Sequence, residues 1–281
     1  MDDSSCVRFL QWLLPQLRMR WAGFRKVRKQ VCKRIQRRIS QLELADIDTY
    51  GAYLQAHKQE WSVLDHLCRI TVSRFYRDRI VLQHVQTDVL PELAQIATLA
   101  GDNTIQGWSA GCAMGEEAYS LVLIWDRTTG NEFPHLDIHV IGSDIDEFLL
   151  QRASNACYAY SSVKALPHDW LQAEFSMKDN LYCLKPRLRR KASFIQQDIR
   201  QRQITGPFHI IFCRNMVFTY YEQALQQELL AYIYDNLVDG GALILGGHES
   251  LPGACTGFEP WPGQRAIFRK ISKQKTAVTG R

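Results

Sequence analysis

The sequence has no long hydrophobic run and no recognisable leader segment. None of its apolar stretches approaches the ~20 residues that a transmembrane helix requires. Residues 1–15 contain two aspartates near their start and lack the basic residues of a signal peptide. We therefore expect a cytoplasmic protein without membrane insertion.

Metal-binding patterns are also missing. The cysteines are spread along the chain without a Cys-x-x-Cys pair, and no histidine stands near one of them at zinc spacing. A single thiol in an apolar string is usually a small buried side chain, and a reducing cytoplasm suits such thiols. We expect no metal site and single buried thiols. The cysteines are Cys6, Cys32, Cys68, Cys112, Cys157, Cys183, Cys213 and Cys255.

The glycine-rich segment lacks the marks of the common nucleotide-binding loops. The string Trp108–Ser120 (WSAGCAMGEEAYS) runs from a predicted strand through Gly111 and Gly115 into a predicted helix. It has neither Gly-x-Gly-x-x-Gly nor the Lys-Ser/Thr of a phosphate-binding loop. Glu116 and Glu117 lie in the first helical turn, where they would repel a pyrophosphate. A cationic, phosphate-free ligand such as S-adenosylmethionine fits this pattern; the alternative is that both glutamates only stabilise the helix dipole.

Acidic residues are missing from one stretch of the chain. Residues 18–38 contain ten Lys and Arg residues and no acid, so the remainder is about five charges negative although the whole chain carries +5. From Phe24 to Leu42 apolar residues recur every three or four positions, which is typical of one helix face with basic residues on the others. Further helical patterns at 46–57 and 60–68 make residues 1–77 a predicted small helical domain with its linker.

After Gly101 the pattern changes to alternating strands and helices. Such alternation indicates a largely parallel sheet with helices on both faces, so residues 78–281 are predicted to form an α/β domain. Residues 156–191 are too long for a simple crossover, and we interpret them as a small inserted β-subdomain. The strand-like runs are Ile105–Ser109, Ile138–Ser143, Ala192–Gln196, Phe208–Cys213, Ala242–Gly246 and Ala266–Ile271. The helical patterns are Asp78–Leu99 (interrupted near Pro91), Gly115–Arg127, Asp146–Asn155 and Tyr221–Leu237.

Polar residues directly follow several of these strands. Asp144 ends the second strand, where dinucleotide folds bind ribose hydroxyls, and Asp146 is a candidate cap of the next helix. Asp198 follows the third strand, where an adenine contact is expected, although an ordinary loop aspartate is equally compatible. Arg214 and Asn215 follow the fourth strand. Because ligands of open α/β sheets bind at the carboxyl ends of strands, we predict that these residues serve binding.

Five strings resemble the motifs of the chemotaxis-receptor glutamate O-methyltransferases, the CheR-type family. They are Ser73–Asp78 (SRFYRD), Trp108–Ser120, Gly142–Asp146 (GSDID), Phe212–Asn215 (FCRN) and Gly246–Ser250 (GGHES). The resemblance runs from about residue 20 to residue 271. It implies a Rossmann-like, S-adenosylmethionine-dependent methyltransferase fold after a small helical domain. It also implies methyl transfer to glutamate side chains of a receptor, giving methyl esters.

The resemblance also implies a set of site residues, carried over motif by motif. From the chemistry of the side chains we further predict that Arg77 orients the acceptor carboxylate bidentately, and that Tyr220, next to the position of the family tyrosine, is catalytic. The structural alternative for Arg77 is an ion pair with Asp78 or a neighbouring residue. Thr71 stands where the family usually has asparagine. The implied cofactor-binding residues are Thr71, Ser73, Arg77, Gly111, Glu117, Asp144, Asp198, Ile199, Arg214 and Asn215.

The chain departs from the family pattern at several places. Thr219 stands where the family usually has a tyrosine, with Tyr220 next to it, and His209 replaces an aspartate. The closing Gly-His-Ser-Glu becomes Gly247–Ser250 (GHES), and the loop at 176–180 is short where some members dock a receptor tail peptide. These departures concern the acceptor more than the cofactor.

Several hypotheses on the acceptor stay open. The basic helix 24–42 is expected to dock an acceptor protein, such as the cytoplasmic helical region of a chemoreceptor, on a monomeric enzyme. Alternatively, the chain methylates a different protein or a small carboxylate, or it is a non-catalytic regulator that binds S-adenosylmethionine. Unopposed positive charges also attract phosphates, but the helix has no reader motif and few aromatic residues, so no specific nucleic-acid binding is expected.

Overall fold

The computed structural model describes residues 2–253 and 257–272, which form two compact units. The helical unit comprises the chain up to Thr71 together with Thr219–Gln226, and the α/β unit comprises Val72–Phe218 and the chain from Gln227 onwards. The boundary at residue 77, which counts the linker with the helical domain, stays a prediction, and residues 219–226 join the helical unit. The reason is local pairing: the Arg20 N–H donates to the Tyr220 carbonyl at 2.8 Å, and Met19 forms a β-bridge with Tyr221.

The helical unit packs the apolar face that the sequence predicts. Val31, Ile35 and Ile39 are at most 1% exposed. The sequence analysis does not predict the first helix, Asp3–Gln16. The Asp2 side chain caps its N-terminus by accepting a hydrogen bond from the Ser5 N–H at 2.9 Å. The helices of this unit are α1 (Asp3–Gln16), α2 (Trp21–Phe24), α3 (Arg28–Gln41), α4 (Ile47–Ala56) and α5 (Glu60–Cys68).

The sequence analysis predicts single thiols, but four of the cysteines form disulfides. Cys6 of α1 forms a disulfide with Cys32 of α3, and Cys157 forms one with Cys183. Each pair is 26 residues apart in the chain, so only the packing of the elements brings the two cysteines together. Single buried thiols are confirmed for Cys68, Cys112 and Cys213. Cys255 lies outside the described residues.

The α/β unit contains a mostly parallel sheet, which confirms the predicted fold class. In the described chain its strand order is β6-β2-β1-β7-β8-β10-β9, with β10 antiparallel to β8 and β9 antiparallel to β10. The strands are β1 (Thr104–Ala110), β2 (Asp137–Asp144), β6 (Ala192–Gln196), β7 (Phe208–Phe212), β8 (Leu237–Ile244), β9 (Phe258–Pro260) and β10 (Ile267–Lys270). The neighbours from β6 to β8 are all parallel.

Helices precede and connect these strands. The predicted interruption near Pro91 is a π-helical turn, Val85–Val89, directly before the helix that contains the proline. The helices around the sheet are α6 (Arg79–His84), α7 (Leu90–Ala100), α8 (Glu116–Arg127), α9 (Thr129–Glu132) and α10 (Glu147–Asn155). Two more, α14 (Val217–Tyr220) and α15 (Gln223–Asn236), contain the points where the chain passes between the units. No helix among the described residues is both long and apolar enough to span a membrane.

The inserted subdomain contains its own antiparallel sheet, as predicted. The strand order is β3-β5-β4, and the β4–β5 turn places Asp179 and Asn180 in the left-handed region, with φ of 48° and 60°. Such a two-residue turn explains why the segment is short. Its elements are β3 (Cys157–Tyr158), α11 (Tyr160–Val163), α12 (His168–Glu174), β4 (Phe175–Lys178), β5 (Leu181–Leu184) and α13 (Pro186–Arg189).

His209 in β7, one of the departures from the family pattern, makes stability depend on pH. Its ring is 3% exposed, its Nδ1 accepts from the Gln106 N–H at 3.1 Å, and its Nε2 lies 3.2 Å from Asp102 Oδ2. Burial lowers the pKa of His209 from 6.5, although Asp102 opposes the shift. The unfolded chain therefore binds this proton first, so this contribution to stability is complete above pH 6.5 and is lost as the pH falls below it.

Denaturant unfolding at two pH values tests this expectation. The free energy of unfolding should fall between about pH 7.5 and about pH 5.5, and the fall should be smaller in His209→Asn, which has no titrating ring. Equal pH dependence in the two proteins would show that His209 is not responsible.

Candidate functional site

The glycine-rich loop between β1 and α8 turns the chain sharply at the carboxyl end of the sheet. Gly111, Ala113 and Gly115 all have left-handed backbones, with φ of 72°, 50° and 83°. A Cβ on Gly111 would lie 2.7 Å from Met216 Sδ, and one on Gly115 would lie 2.9 Å from Phe194. Glycine is therefore required for close approach as well as for conformation.

The next strand fastens this loop. The Gly111 and Cys112 N–H groups donate to the Ser143 carbonyl at 2.8 and 2.9 Å, and the Ala113 N–H donates to Asp144 Oδ2 at 2.9 Å. Asp144 Oδ1 accepts from the Asp146 N–H at 3.1 Å. Burial raises the pKa of Asp144, although these backbone donors oppose the shift. Asp144 thus connects the ends of β1 and β2, and its ribose-binding role stays a prediction.

The two glutamates that begin α8 have different surroundings. Glu116 is fully buried and accepts from the Ser162 hydroxyl at 3.3 Å, and its Oε2 has no hydrogen-bond partner among the described residues. Glu117 is 17% exposed and accepts from the Ser109 hydroxyl at 2.8 Å. Burial raises the pKa of Glu116, and the Ser73 hydroxyl opposes that rise, which places Ser73 beside Glu116. Of the two glutamates, Glu117 is the more accessible and is therefore the candidate for ligand binding.

Arg214 connects three segments at the end of β7. Its side chain is 2% exposed, Nη1 lies 3.0 Å from Glu117 Oε2, and Nη2 lies 2.6 Å from Asp78 Oδ2. Nη2 also donates to the Arg77 carbonyl at 2.9 Å. Arg214 is thus a buried link between α8 and the segment before α6. Its Nε has no partner within the described chain, and an acceptor on a bound group would satisfy it.

Asp78 forms an ion pair with Arg214. The sequence analysis considered a different pair, between Arg77 and Asp78, as the alternative to a binding role for Arg77. Burial acts to raise the pKa of Asp78, but the Arg214 and Arg77 guanidinium groups and the Gly247 N–H together outweigh it, and the net pKa is lowered. The Arg77 guanidinium donates to the Val72 carbonyl at 2.6 Å. Tyr76 and Asp78 have φ of 55° and 59°, so the backbone on both sides of Arg77 is left-handed. The segment is thus held in an unusual conformation next to the glycine-rich loop.

The cluster Glu117–Arg214–Asp78 has the charge that a cationic ligand needs. Burial raises the pKa of Glu117, while Arg214 and the Ser109 hydroxyl oppose the rise and favour the ionised carboxylate. The two carboxylates and the Arg214 guanidinium together carry one net negative charge, and the nearby Arg77 guanidinium, which acts to lower the pKa of both carboxyl groups, offsets part of it. The carboxylates themselves would attract an ammonium group and repel a phosphate. These residues fit the amino-acid end of S-adenosylmethionine.

Asn215 is held by a residue that the sequence analysis did not single out. Asn215 has φ of 55°, and its N–H donates to Glu249 Oε2 at 2.6 Å. The same carboxylate oxygen accepts from the Gly246 N–H at 2.8 Å. Glu249 therefore connects the chain segments that follow β7 and β8. Its only signal in the sequence is its place in the altered closing motif.

The remaining predicted residues are placed as follows. Asp198 pairs with Arg200 at 2.7 Å and caps a 3-10 turn, Ile199–Gln201, and Ile199 is 5% exposed. Thr71 and Tyr220 belong to the helical unit, where the Tyr220 ring lies 5.0 Å from that of Phe24. Their roles toward a ligand stay predictions. Asp146 caps α10 through Phe148 and Leu149, as predicted.

No group of three or more His, Cys, Asp or Glu side chains in residues 2–253 and 257–272 could hold a metal ion.

Comparison with known proteins identifies the family of this site. Residues 71–267 match the family described as CheR methyltransferase, SAM binding domain. The chain is 31% identical to chemotaxis protein methyltransferase 2 of Vibrio cholerae serotype O1, over 79% of this chain and 77% of that protein. It is 30% identical to the chemotaxis protein methyltransferase of Escherichia coli K12, again over 79% and 77%. The enzyme of that name from Listeria monocytogenes is 28% identical, over 72% and 75%.

The family match includes the glycine-rich loop, the ends of β1, β2 and β7, and the inserted subdomain. Its description names S-adenosylmethionine binding, in agreement with the charge of the Glu117–Arg214–Asp78 cluster. The cofactor is therefore S-adenosylmethionine, and this chain belongs to the CheR methyltransferase family.

Proposed function

We propose that the chain transfers a methyl group from S-adenosylmethionine to glutamate side chains of a chemoreceptor-like protein and forms methyl esters. The observation that carries this proposal is the placement of Arg77: its carbonyl is bonded to Arg214, which also pairs with Glu117. The Arg77 guanidinium also acts to lower the pKa of Asp78 and of Glu117, so its charge lies near the cluster that fits the cofactor. The names of the relatives, chemotaxis protein methyltransferases, support a receptor as the acceptor.

The chemistry of this acceptor asks little of the protein beyond alignment. A glutamate side chain, with a reference pKa of ~4.3, is already ionised at neutral pH and needs no general base. The cofactor supplies a methyl group on a positively charged sulfur, which is intrinsically electrophilic. Holding the acceptor carboxylate in line with the methyl group can lower the activation free energy by roughly 7–11 kcal/mol. The residues of the chain therefore act by binding, orienting and excluding water.

Arg77 has the chemistry to orient the acceptor. A guanidinium holds a carboxylate through two parallel N–H bonds, which a lysine cannot do. One Arg77 nitrogen donates to Val72, and the left-handed backbones of Tyr76 and Asp78 fix the direction of the segment. In the proposed reaction the remaining donors of Arg77 hold the acceptor carboxylate, while Glu117 holds the cofactor ammonium.

A basic stripe on α3 is the proposed docking surface for the acceptor. Several of the positive charges that look unopposed in the sequence are engaged: Arg28 pairs with Asp3, and Arg38 pairs with the buried Glu60. The stripe consists of Lys29, Lys33 and Arg37, which are exposed. They are four residues apart, roughly 6 Å along the helix axis, and so lie on one face. Such a row complements the acidic face of a partner helix.

A labelling experiment tests the proposed reaction. The protein is incubated with methyl-labelled S-adenosylmethionine and either a chemoreceptor cytoplasmic domain or a whole-cell extract. We expect label on the receptor domain that mild base releases as methanol, since methyl esters hydrolyse under these conditions. Base-stable label, or label only on another protein or a small carboxylate, would contradict the receptor-glutamate proposal. No label in either sample would support a non-catalytic regulator.

Charge reversal tests the docking surface. We expect the triple variant Lys29→Glu, Lys33→Glu, Arg37→Glu to lower kcat/KM for the receptor domain about 10- to 100-fold, because about three exposed ion pairs of 0.5–1 kcal/mol are lost. Affinity for S-adenosylhomocysteine should not change. A control with the same change in charge, Lys58→Glu, Lys164→Glu, Arg265→Glu, alters exposed residues elsewhere. Equal losses of kcat/KM in both variants would show that net charge, and not the stripe, causes the effect.

A further inference from the structure

Tyr158 of the inserted subdomain is bonded to the glycine-rich loop. It lies in β3, is 3% exposed, and its hydroxyl donates to the Met114 carbonyl at 2.9 Å. Its ring packs edge-on against Phe75 with the ring centroids 4.9 Å apart. Tyr158 thus contacts two segments that flank the cofactor site: its hydroxyl bonds to the glycine-rich loop, and its ring packs against Phe75.

The bonded carbonyl belongs to the part of the loop with the most constrained backbone. Met114 lies between Ala113 and Gly115, which both have positive φ. From the sheet side the loop is held by the Ser143 carbonyl and by Asp144, and both bond to residues 111–113. Tyr158 holds the following residue, Met114, two positions before α8 begins at Glu116. The loop is therefore fastened on two sides, by the sheet and by the inserted subdomain.

The Tyr158 hydroxyl is suited to a permanent donor role. Burial raises the pKa of Tyr158 well above its ordinary value, and the nearby Glu116 carboxyl raises it further, so the proton stays on the oxygen. Beside it, the Phe75 N–H donates to the Ser162 carbonyl at 3.0 Å, and the Ser162 hydroxyl donates to Glu116. These bonds connect Ser162 of the inserted subdomain to Phe75 and to Glu116 at the N-terminus of α8.

We propose that Tyr158 is a positioning residue for the cofactor site: through the Met114 carbonyl it holds the glycine-rich loop in its binding conformation and connects the inserted subdomain to it. Anything that displaces β3 would then weaken cofactor binding. The inference rests on the cofactor of the family and is independent of the proposed glutamate acceptor.

The substitution Tyr158→Phe removes the hydroxyl and keeps the ring. Calorimetric titration should show S-adenosylhomocysteine binding about three- to tenfold more weakly than to the wild type, the range expected for one lost buried hydrogen bond. In a methyl-transfer assay the KM for S-adenosylmethionine should rise by a similar factor, while kcat stays within about twofold. A lower kcat with unchanged KM would overturn the proposal, because the residue would then act on the reaction and not on the loop.

Tyr119 offers a matched control in the same unit. It is 1% exposed, and its hydroxyl donates to the Ala153 carbonyl of α10 at 3.1 Å and not to a carbonyl of the glycine-rich loop. Tyr119→Phe loses the same kind of bond, so both variants should lower the melting temperature to a similar extent, and only Tyr158→Phe should weaken S-adenosylhomocysteine binding. Unchanged affinity in Tyr158→Phe, or equal weakening in both variants, would refute a positioning role. Failure of the receptor-methylation assay alone would leave this binding comparison intact.

Discussion

Replacing Arg77 by alanine is expected to lower methyl-transfer turnover about 100- to 1000-fold, the usual effect of removing one preorganised donor from an active site. Affinity for S-adenosylhomocysteine should stay within about threefold, because Arg77 is proposed to bind the acceptor and not the cofactor. The Arg77 carbonyl, which anchors Arg214, belongs to the backbone and is kept in the variant. Turnover is measured with the receptor domain, and affinity by calorimetric titration.

Arg77→Lys is the control for charge. Lysine keeps the positive charge but lacks the planar pair of donors, so the loss of turnover should lie between those of the wild type and the alanine variant. Turnover of the alanine variant equal to that of the wild type would remove Arg77 from the mechanism. A parallel loss of affinity for S-adenosylhomocysteine would move it to the cofactor site.

Replacing Glu117 by glutamine is expected to weaken S-adenosylhomocysteine binding about 10- to 100-fold. The reason is the loss of a charge-assisted hydrogen bond to the ligand ammonium, worth roughly 1.5–3 kcal/mol. The variant keeps the shape of the side chain, and Arg214 keeps its second carboxylate, Asp78. Titration with S-adenosylhomocysteine measures the effect directly.

A variant of the neighbouring Glu116 is the control for this prediction. It shows whether a change of charge anywhere in the first turn of α8 weakens binding. Its side chain is buried against Ser162, and burial already raises its pKa toward the neutral form. Glu116→Gln should therefore leave affinity within about threefold of the wild type. If the two variants weakened binding equally, the helix N-terminus as a whole, and not Glu117, would determine the affinity.

Much of the fold follows from local patterns in the sequence. The positions of β1, β2, β6 and β7 could be predicted because each is a short apolar run bounded by polar or glycine residues. The beginning of β8 was missed because Leu237 continues the helical periodicity of α15. Local periodicity cannot show where a helix ends and a strand begins when the residues between them suit both.

The site was predictable as a set of residues but not as a network. Glu117, Arg214 and Asp144 each follow or flank a strand end, so their types and positions indicate binding without any knowledge of contacts. Arg214 is 97 residues from Glu117 and 136 from Asp78, and the pairing depends on how β7 packs beside β1. The same limit applies to the disulfides and to the Tyr158 hydroxyl, which are products of tertiary packing.

The account depends most on the claim that the Glu117–Arg214–Asp78 cluster accepts a nucleoside that carries an ammonium group and rejects one that carries phosphates. Parallel calorimetric titrations of the purified protein with S-adenosylhomocysteine and with ADP test it most directly. The account predicts saturable binding of one S-adenosylhomocysteine molecule per chain and no measurable heat with ADP. Binding of ADP without binding of S-adenosylhomocysteine would contradict it.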